Sequence, residues 1–238
     1  RFLMDFSIII PAYNEAGRLG KSLDAILDFM KRWNSSFEVI VVDDGSKDAT
    51  SQIVQERMKN HKELKLISLP VNRGKGFAVK TGILKAQGKY ILFSDADLST
   101  PIEELPKLFN WINKGYDIAI ASRACPGAVL EIRQPFYREF MGRVFNFLVR
   151  LFLLPGIYDT QCGFKLFRRE AAREIFQRQR FSGFSFDFEV LYIAKRLGYK
   201  IKEVPVIWRH SPGSKVKVLR NGITSFIDIF KTRIRGVK

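Results

Sequence analysis

The chain has 238 residues, enough for one large α/β domain to bury a core without staples. Its two cysteines, Cys125 and Cys162, and two histidines, His61 and His210, exclude a disulfide scaffold and a histidine-rich metal site, and make a reducing compartment the default. A formal charge of +16 calls for an anionic partner, whether nucleic acid, an anionic membrane surface or a phosphorylated substrate.

In chain order, Phe6 to Ile10 reads as a buried strand closed by Pro11, with Ala12 to Glu15 as the turn after it. A helix follows from about Gly17 to Trp33, with Leu19, Leu23, Ile26, Leu27 and Met30 on one face. Glu38 to Val42 is a second strand ending in Asp43 and Asp44, and Ser46 or Asp48 caps a helix that runs to about Lys59. Leu64 to Leu69 is a third strand. The run Asn72-Arg-Gly-Lys-Gly76 opens a helix whose interior Gly82 predicts close packing on the sheet. Tyr90 to Phe93 is a fourth strand that ends in Asp95 and Asp97. A helix over Ile102 to Asn113 and a strand over Asp117 to Ser122 complete an alternation that predicts an α/β fold, with a mainly parallel sheet flanked by helices.

Beyond Arg123 the pattern loosens. Cys125 to Gln134 reads as a mobile loop, and Phe136 to Leu154 as a long apolar stretch carrying Arg138, Arg143 and Arg150. Gly163 to Phe167 reads as a strand, Arg169 to Phe176 and Phe188 to Arg196 as helices, and Lys200 to Trp208 as an edge strand interrupted by Pro205. The tail from Val218 to Ile234 is an amphipathic helix, with Lys and Arg clustered at both ends. No apolar run reaches the roughly eighteen residues of a spanning helix.

Three strand ends carry polar motifs: Pro11 to Glu15, Asp43-Asp44, and Asp95 to Asp97. Ligands of open α/β sheets bind at the carboxyl ends of the strands. One acidic turn is ordinary cap chemistry. Three on one rim are costly without a cation or a hydrogen-bonding ligand. Asp95 and Asp97 therefore suit a hard divalent ion that shares its shell with phosphate, Mg2+ or Mn2+. Asp43 suits a base or ribose, Tyr13 a base face, and Arg73 to Gly76 an anion at a helix N-terminus. The spacing for a P-loop is absent.

Four of these motifs, Ile8-Ile-Ile-Pro-Ala-Tyr-Asn-Glu15, Val41-Val-Asp-Asp-Gly-Ser46, Asn72-Arg-Gly-Lys-Gly76 and Asp95-Ala-Asp97, resemble family 2 glycosyltransferases of the GT-A fold, the Rossmann-like fold of nucleotide-diphospho-sugar transferases. Asp159-Thr-Gln-Cys-Gly-Phe-Lys-Leu-Phe167, Phe186-Asp-Phe-Glu-Val190 and Gly213-Ser-Lys215 resemble dolichyl-phosphate β-glucosyltransferases and, more loosely, the mannosyltransferases. The resemblance implies metal and diphosphate binding at Asp95 and Asp97. It implies a nucleotide-sugar pocket around Pro11, Ala12, Tyr13, Glu15, Asp43, Gly74, Lys75 and Ala96, and acceptor-phosphate contacts from Arg123 and Arg138. Arg133 and Lys215 are further candidates for that phosphate. Mannosyltransferase relatives carry a glutamine ligand where this chain has Ser99.

The expected activity is inverting transfer of glucose from UDP-glucose to a polyprenyl phosphate at the cytoplasmic face of a membrane. The catalytic candidates are Asp97, Arg123, Arg138 and Asp187. An anionic acceptor needs positioning rather than a base. A sugar-hydroxyl acceptor would need one, with Asp187 or Glu189 as the choice, although Asp187 also suits a helix cap. GDP-mannose is the rival donor. A basic nucleic-acid module is the rival class, and the acidic rim argues against it because it would repel a phosphate backbone. Phe145 to Leu154 and the tail are each the right size to lie in a lipid interface or to pack on the domain. The expected organisation is a catalytic domain over 1–214, with a nucleotide half to 122 and an acceptor half from 123, then a basic tail over 215–238.

Overall fold

The structure is a computed structural model that describes residues 4–132, 136–211 and 218–236, excepting the side chains of residues 138, 218–223 and 235. At its centre β1 (Met4–Ala12) pairs in parallel with β2 (Phe37–Asp43) and with β4 (Gly88–Ser94), and β3 (Leu64–Ser68) extends the sheet beyond β2. On the other side β7 (Phe164–Arg168) runs antiparallel between β4 and β5 (Ile118–Ser122), and β8 (Ile201–Pro205) closes the edge parallel to β5. The seven-stranded order is β3-β2-β1-β4-β7-β5-β8. Strands from both halves of the sequence thus share one sheet.

The middle of each central strand, Ile8 to Ile10, Val39 to Val42 and Tyr90 to Phe93, is apolar on both sides because both faces of the sheet are covered. Ile8, Ile10, Val39, Val41 and Leu92 face one core, and Ile9, Ile40, Val42, Ile91 and Phe93 face the other. Helices α1 (Leu19–Arg32), α2 (Thr50–Met58) and α4 (Leu105–Asn113, preceded by a 3-10 turn) build the first layer. Helices α3 (Lys75–Lys85), α6 (Arg169–Arg178) and α7 (Phe186–Arg196) build the second, with one face each of α5 (Phe136–Phe152) and α8 (Val218–Arg235). The expected close approach at Gly82 is present, since a methyl there would overlap Ile9 and meet Val42 at 3.0 Å.

Two local expectations change. Asp48 accepts the Thr50 N–H at 3.0 Å at the start of α2, whereas Ser46 Oγ accepts the Asn14 N–H at 2.8 Å and ties the second motif to the first. The expected loop after Cys125 contains β6 (Val129–Ile132), which pairs in parallel with β9 (Ile207–Arg209) as a separate ribbon. The strand expected over Lys200 to Trp208 therefore splits at Val206, with β8 on the main sheet and β9 on the ribbon.

Candidate active site

Because β1, β2 and β4 are parallel neighbours, their carboxyl ends meet at one rim, where a cleft of about 320 Å³ opens. Pro11, Ala12, Tyr13 and Glu15 line it from the end of β1. Gly74 and Lys75 line it from the start of α3, and Asp95, Ala96 and Asp97 from the end of β4. Asp44, expected on the rim, reaches the cleft as well, and so do Arg18, Asn72, Ala78 and Phe184, which sequence reasoning did not place there.

The Asp95 to Ser99 turn is tightly built. The Asp95 N–H donates to Gly163 O at 2.9 Å, and its carboxylate lies so close to Gly163 that a Cβ there would overlap it. Leu98 adopts φ +46°, an uncommon conformation for a residue of its shape and a form of strain found at functional turns. The turn brings the Ser99 N–H to Asp97 Oδ1 at 3.0 Å, while Ser99 O accepts the Arg209 N–H at 2.8 Å. Ser99 thus orients Asp97 and links the rim to β9.

Cations hold both carboxylates. Lys75 Nζ stands 2.7 Å from Asp95 Oδ1, and Arg18 Nη1 stands 3.5 Å from Asp97 Oδ2. Burial opposes the charge on Lys75, but Asp95 and then Asp187 outweigh it and raise its pKa above the usual lysine range. Burial, with the neighbouring Asp95 charge, pushes the Asp97 carboxyl above the usual carboxylate range. Two oxygen-donor side chains whose charges burden each other fit a hard divalent cation. Among the described residues no group of three or more His, Cys, Asp or Glu side chains gathers to hold a metal. The protein would therefore supply Asp95 and Asp97, and a ligand's phosphate oxygens or water would fill the rest of the shell.

Asp43 and Asp44 face different ways. Asp43 accepts the Ser46 N–H at 2.9 Å and the Ser51 hydroxyl, and it does not line the cleft. Asp44 does, and its carboxylate takes the Arg73 and Gly74 N–H groups at 2.7 and 2.8 Å. Gly74 has φ +100°, and a Cβ there would meet Ser182 O at 2.5 Å. Asp44 and Gly74 together set the entry to α3 and so the position of Lys75.

Asp187 lies beneath the cleft rather than in it. It is 1% exposed, and its Oδ1 pairs with the fully buried Lys165 Nζ at 2.5 Å. It makes no side-chain cap for α7. Glu189 is equally committed, accepting the Arg180 and Phe181 N–H groups at 3.1 and 2.9 Å. It thereby fixes the loop that carries Phe184 to the cleft.

Arg123 stands at the far side of the same rim. Its Nε and Nη2 donate to Asp159 Oδ2 and Oδ1 at 2.7 and 2.9 Å, and its guanidinium lies 5.4 Å from the centre of the Trp208 ring. The side chain is 25% exposed, so the group is clamped but reachable. One segment joins the two sides, since Asp159 holds Arg123 and Gly163 holds Asp95. The ribbon converges there too. The His210 N–H donates to Ile132 O at 3.0 Å, and Arg18 Nη1 donates to Ser211 Oγ at 3.2 Å. Arg133 and Lys215 lie outside the described residues, and the Arg138 side chain, at the start of α5, does as well.

The sequence matches the family described as Glycosyl transferase family 2 over residues 7–176. The chain belongs to glycosyl transferase family 2. It is similar to dolichyl-phosphate beta-glucosyltransferase of Dictyostelium discoideum, 38% identical over 241 residues that span 96% of this chain and 74% of the relative. It is likewise similar to the Homo sapiens enzyme of that name, 35% identical over 96% of this chain and 75% of the relative. Among solved structures, glucosyl-3-phosphoglycerate synthase from Mycobacterium tuberculosis, in complex with Mn2+ and UDP-glucose, gives a TM-score of 0.71 at 19% identity, covering 97% of this chain and 79% of that one. Mannosyl-3-phosphoglycerate synthase from Rubrobacter xylanophilus gives 0.75 at 19% identity, covering 98% and 74%. These likenesses establish the GT-A fold for this family 2 chain. All four motifs at the start of the resemblance fall inside the matched segment.

Proposed function

We propose that this family 2 glycosyltransferase moves glucose from UDP-glucose to dolichyl phosphate, or to a polyprenyl phosphate of the same chemistry, with inversion at the sugar. One juxtaposition carries the reading. The carboxylates of Asp95 and Asp97, with Lys75 beside them, share a rim with the clamped guanidinium of Arg123. The names of the relatives agree with it.

In this reading Tyr13 offers a ring to the base, and Lys75 lays positive charge along the diphosphate. Asp95 and Asp97 would hold a divalent cation, Mg2+ or Mn2+, which would supply electrostatic stabilisation of the leaving diphosphate. Arg123 orients the acceptor phosphate, whose oxygen is anionic at neutral pH and attacks without a strong base. Asp187 and Glu189 agree with that economy, because both carboxylates are spent on the fold. Calorimetric titration tests the donor site. UDP should bind at least about tenfold more tightly with Mn2+ than without it, and about tenfold more tightly than GDP. Tighter binding of GDP would move the donor to GDP-mannose.

The acceptor's lipid chain calls for a lipid surface, and α5 and α8 provide one. Their inner faces bury Val149, Leu153 and Ile229 in the second core. Their outer faces expose Phe140, Phe147 and Leu151 on α5 and Phe226, Ile227 and Ile234 on α8, joined where the Phe152 and Phe230 rings meet at 5.3 Å. Arg143 is exposed beside them. No helix among the described residues is long and apolar enough to cross a membrane. In this reading the exposed apolar faces of the two helices lie in the interface. The double variant Phe140→Glu/Phe147→Glu should lose at least about tenfold in partitioning to anionic vesicles, since each change removes an exposed aromatic and adds repulsion. Unchanged sedimentation would remove α5 from the docking surface.

A further inference from the structure

The grip on Arg123 is more elaborate than a lone acceptor-binding arginine needs. Asp159 is 1% exposed, and three donors of Arg123 converge on it: the backbone N–H at 2.9 Å, Nε at 2.7 Å and Nη2 at 2.9 Å. Asp159 is itself anchored, since its N–H and that of Tyr158 donate to Glu203 on β8 at 2.7 and 2.9 Å. The Gln161 N–H closes on Asp159 Oδ1 at 3.2 Å. Trp208, 7% exposed and stacked on His210 with ring centres 6.0 Å apart, lies under the guanidinium with its ring centre 5.4 Å away. Burial alone would lift the Asp159 carboxyl, but Arg123 outweighs it and holds Asp159 below the usual range, so it stays ionised. A carboxylate so committed has no part as a proton acceptor. Nη1 has no partner among the described residues and remains for a ligand.

We infer that Asp159 and Trp208 are positioning residues for the acceptor phosphate: between them they fix the plane of the Arg123 guanidinium and present its Nη1 edge to one anionic oxygen. A free arginine side chain would have to lose rotamer freedom on each binding event. This one has lost it in the fold, so phosphate binding gains from preorganisation. The inference rests on the proposed reading of Arg123 as an acceptor contact, and it adds the residues through which that contact is set. Arg123 also lies near enough to Asp95 to feel its charge.

The test is a double-mutant cycle on the full chain, read by calorimetry with a short-chain isoprenyl monophosphate and, separately, with UDP. Asp159→Asn keeps the shape and removes the charge. Trp208→Leu removes the ring, and Trp208→Phe keeps one. Asp159→Asn and Trp208→Leu should each weaken monophosphate binding about tenfold and leave UDP affinity within about twofold. Trp208→Phe should recover most of the loss. In an Arg123→Ala background neither substitution should weaken the monophosphate further. If Asp159→Asn does not fold, the Trp208 pair decides the matter alone. Additive losses in the Arg123→Ala background, equal losses for both ligands, or unchanged monophosphate affinity in a folded variant would each overturn the inference. Wild-type protein that binds the monophosphate in this pattern yet transfers no glucose would refute the proposed donor and leave the positioning role standing.

Discussion

Asp97→Asn should abolish transfer, by about a thousandfold or more, and leave the fold intact. Asn keeps the oxygen that accepts the Ser99 N–H, so the turn survives. It loses the charge that a divalent cation requires. Stability should move the other way. Burial and then Asp95 raise the Asp97 carboxyl in the folded state. A carboxyl raised on folding leaves the protein most stable while it is protonated, and this contribution is lost as pH climbs from the unfolded value, about 4, through the folded one. At neutral pH the ionised Asp97 is therefore a burden that Asn relieves. Without added cation the variant should melt at or above the wild-type temperature. With Mn2+ the wild type should gain stability and the variant should not. Calorimetric melting with and without Mn2+ checks both signs. A variant that melts lower and still responds to Mn2+ would take Asp97 out of the cation site.

Gly163→Ala should cost about a hundredfold in transfer although residue 163 carries no chemistry. Its added methyl would overlap the Asp95 carboxylate, and the neighbouring strand β7 leaves the backbone little room to retreat. Asp95 must turn away, and Lys75 loses its 2.7 Å partner. Displacements of about 1 Å near the reacting groups cost on the order of a hundredfold. The loss should fall on kcat and on UDP affinity and spare binding of isoprenyl monophosphate, because Arg123 is held through Asp159 and not through Gly163. Equal loss of both affinities would mean that β7 has been displaced as a whole.

Most of the cleft rim was legible in the sequence because its signals are local. A short apolar run that stops at carboxylates marks a buried strand and its end, and Asp95 and Asp97 sit where that reasoning put them. The separate orientations of Asp43 and Asp44 are not legible, for the same reason of locality. Nothing in Asp43-Asp44 says which carboxylate turns to Ser51 and which to the Arg73 and Gly74 amides 29 and 30 residues away. Arg18 reads as an ordinary residue at a helix start until the fold sets it against Asp97 and Ser211. The β6–β9 ribbon is short and largely exposed on β6, so it leaves no buried pattern to read. The antiparallel insertion of β7 between β4 and β5 comes from pairing across more than forty residues, beyond any periodicity. That insertion places Gly163 against Asp95 and, four residues earlier, Asp159 against Arg123. The second half of the site exists because of a strand pairing that no window of sequence contains.

A glucosyl donor and a lipid phosphate should meet across this rim. Incubation of the wild-type chain with UDP-glucose labelled in the sugar, dolichyl phosphate in detergent or vesicles, and Mg2+ or Mn2+ tests it directly. Label should appear in a lipid product, dependent on the cation, abolished by Asp97→Asn and absent when GDP-mannose is the only donor. Protein that binds UDP in a cation-dependent way yet labels no lipid phosphate, or labels only a sugar hydroxyl, would contradict it.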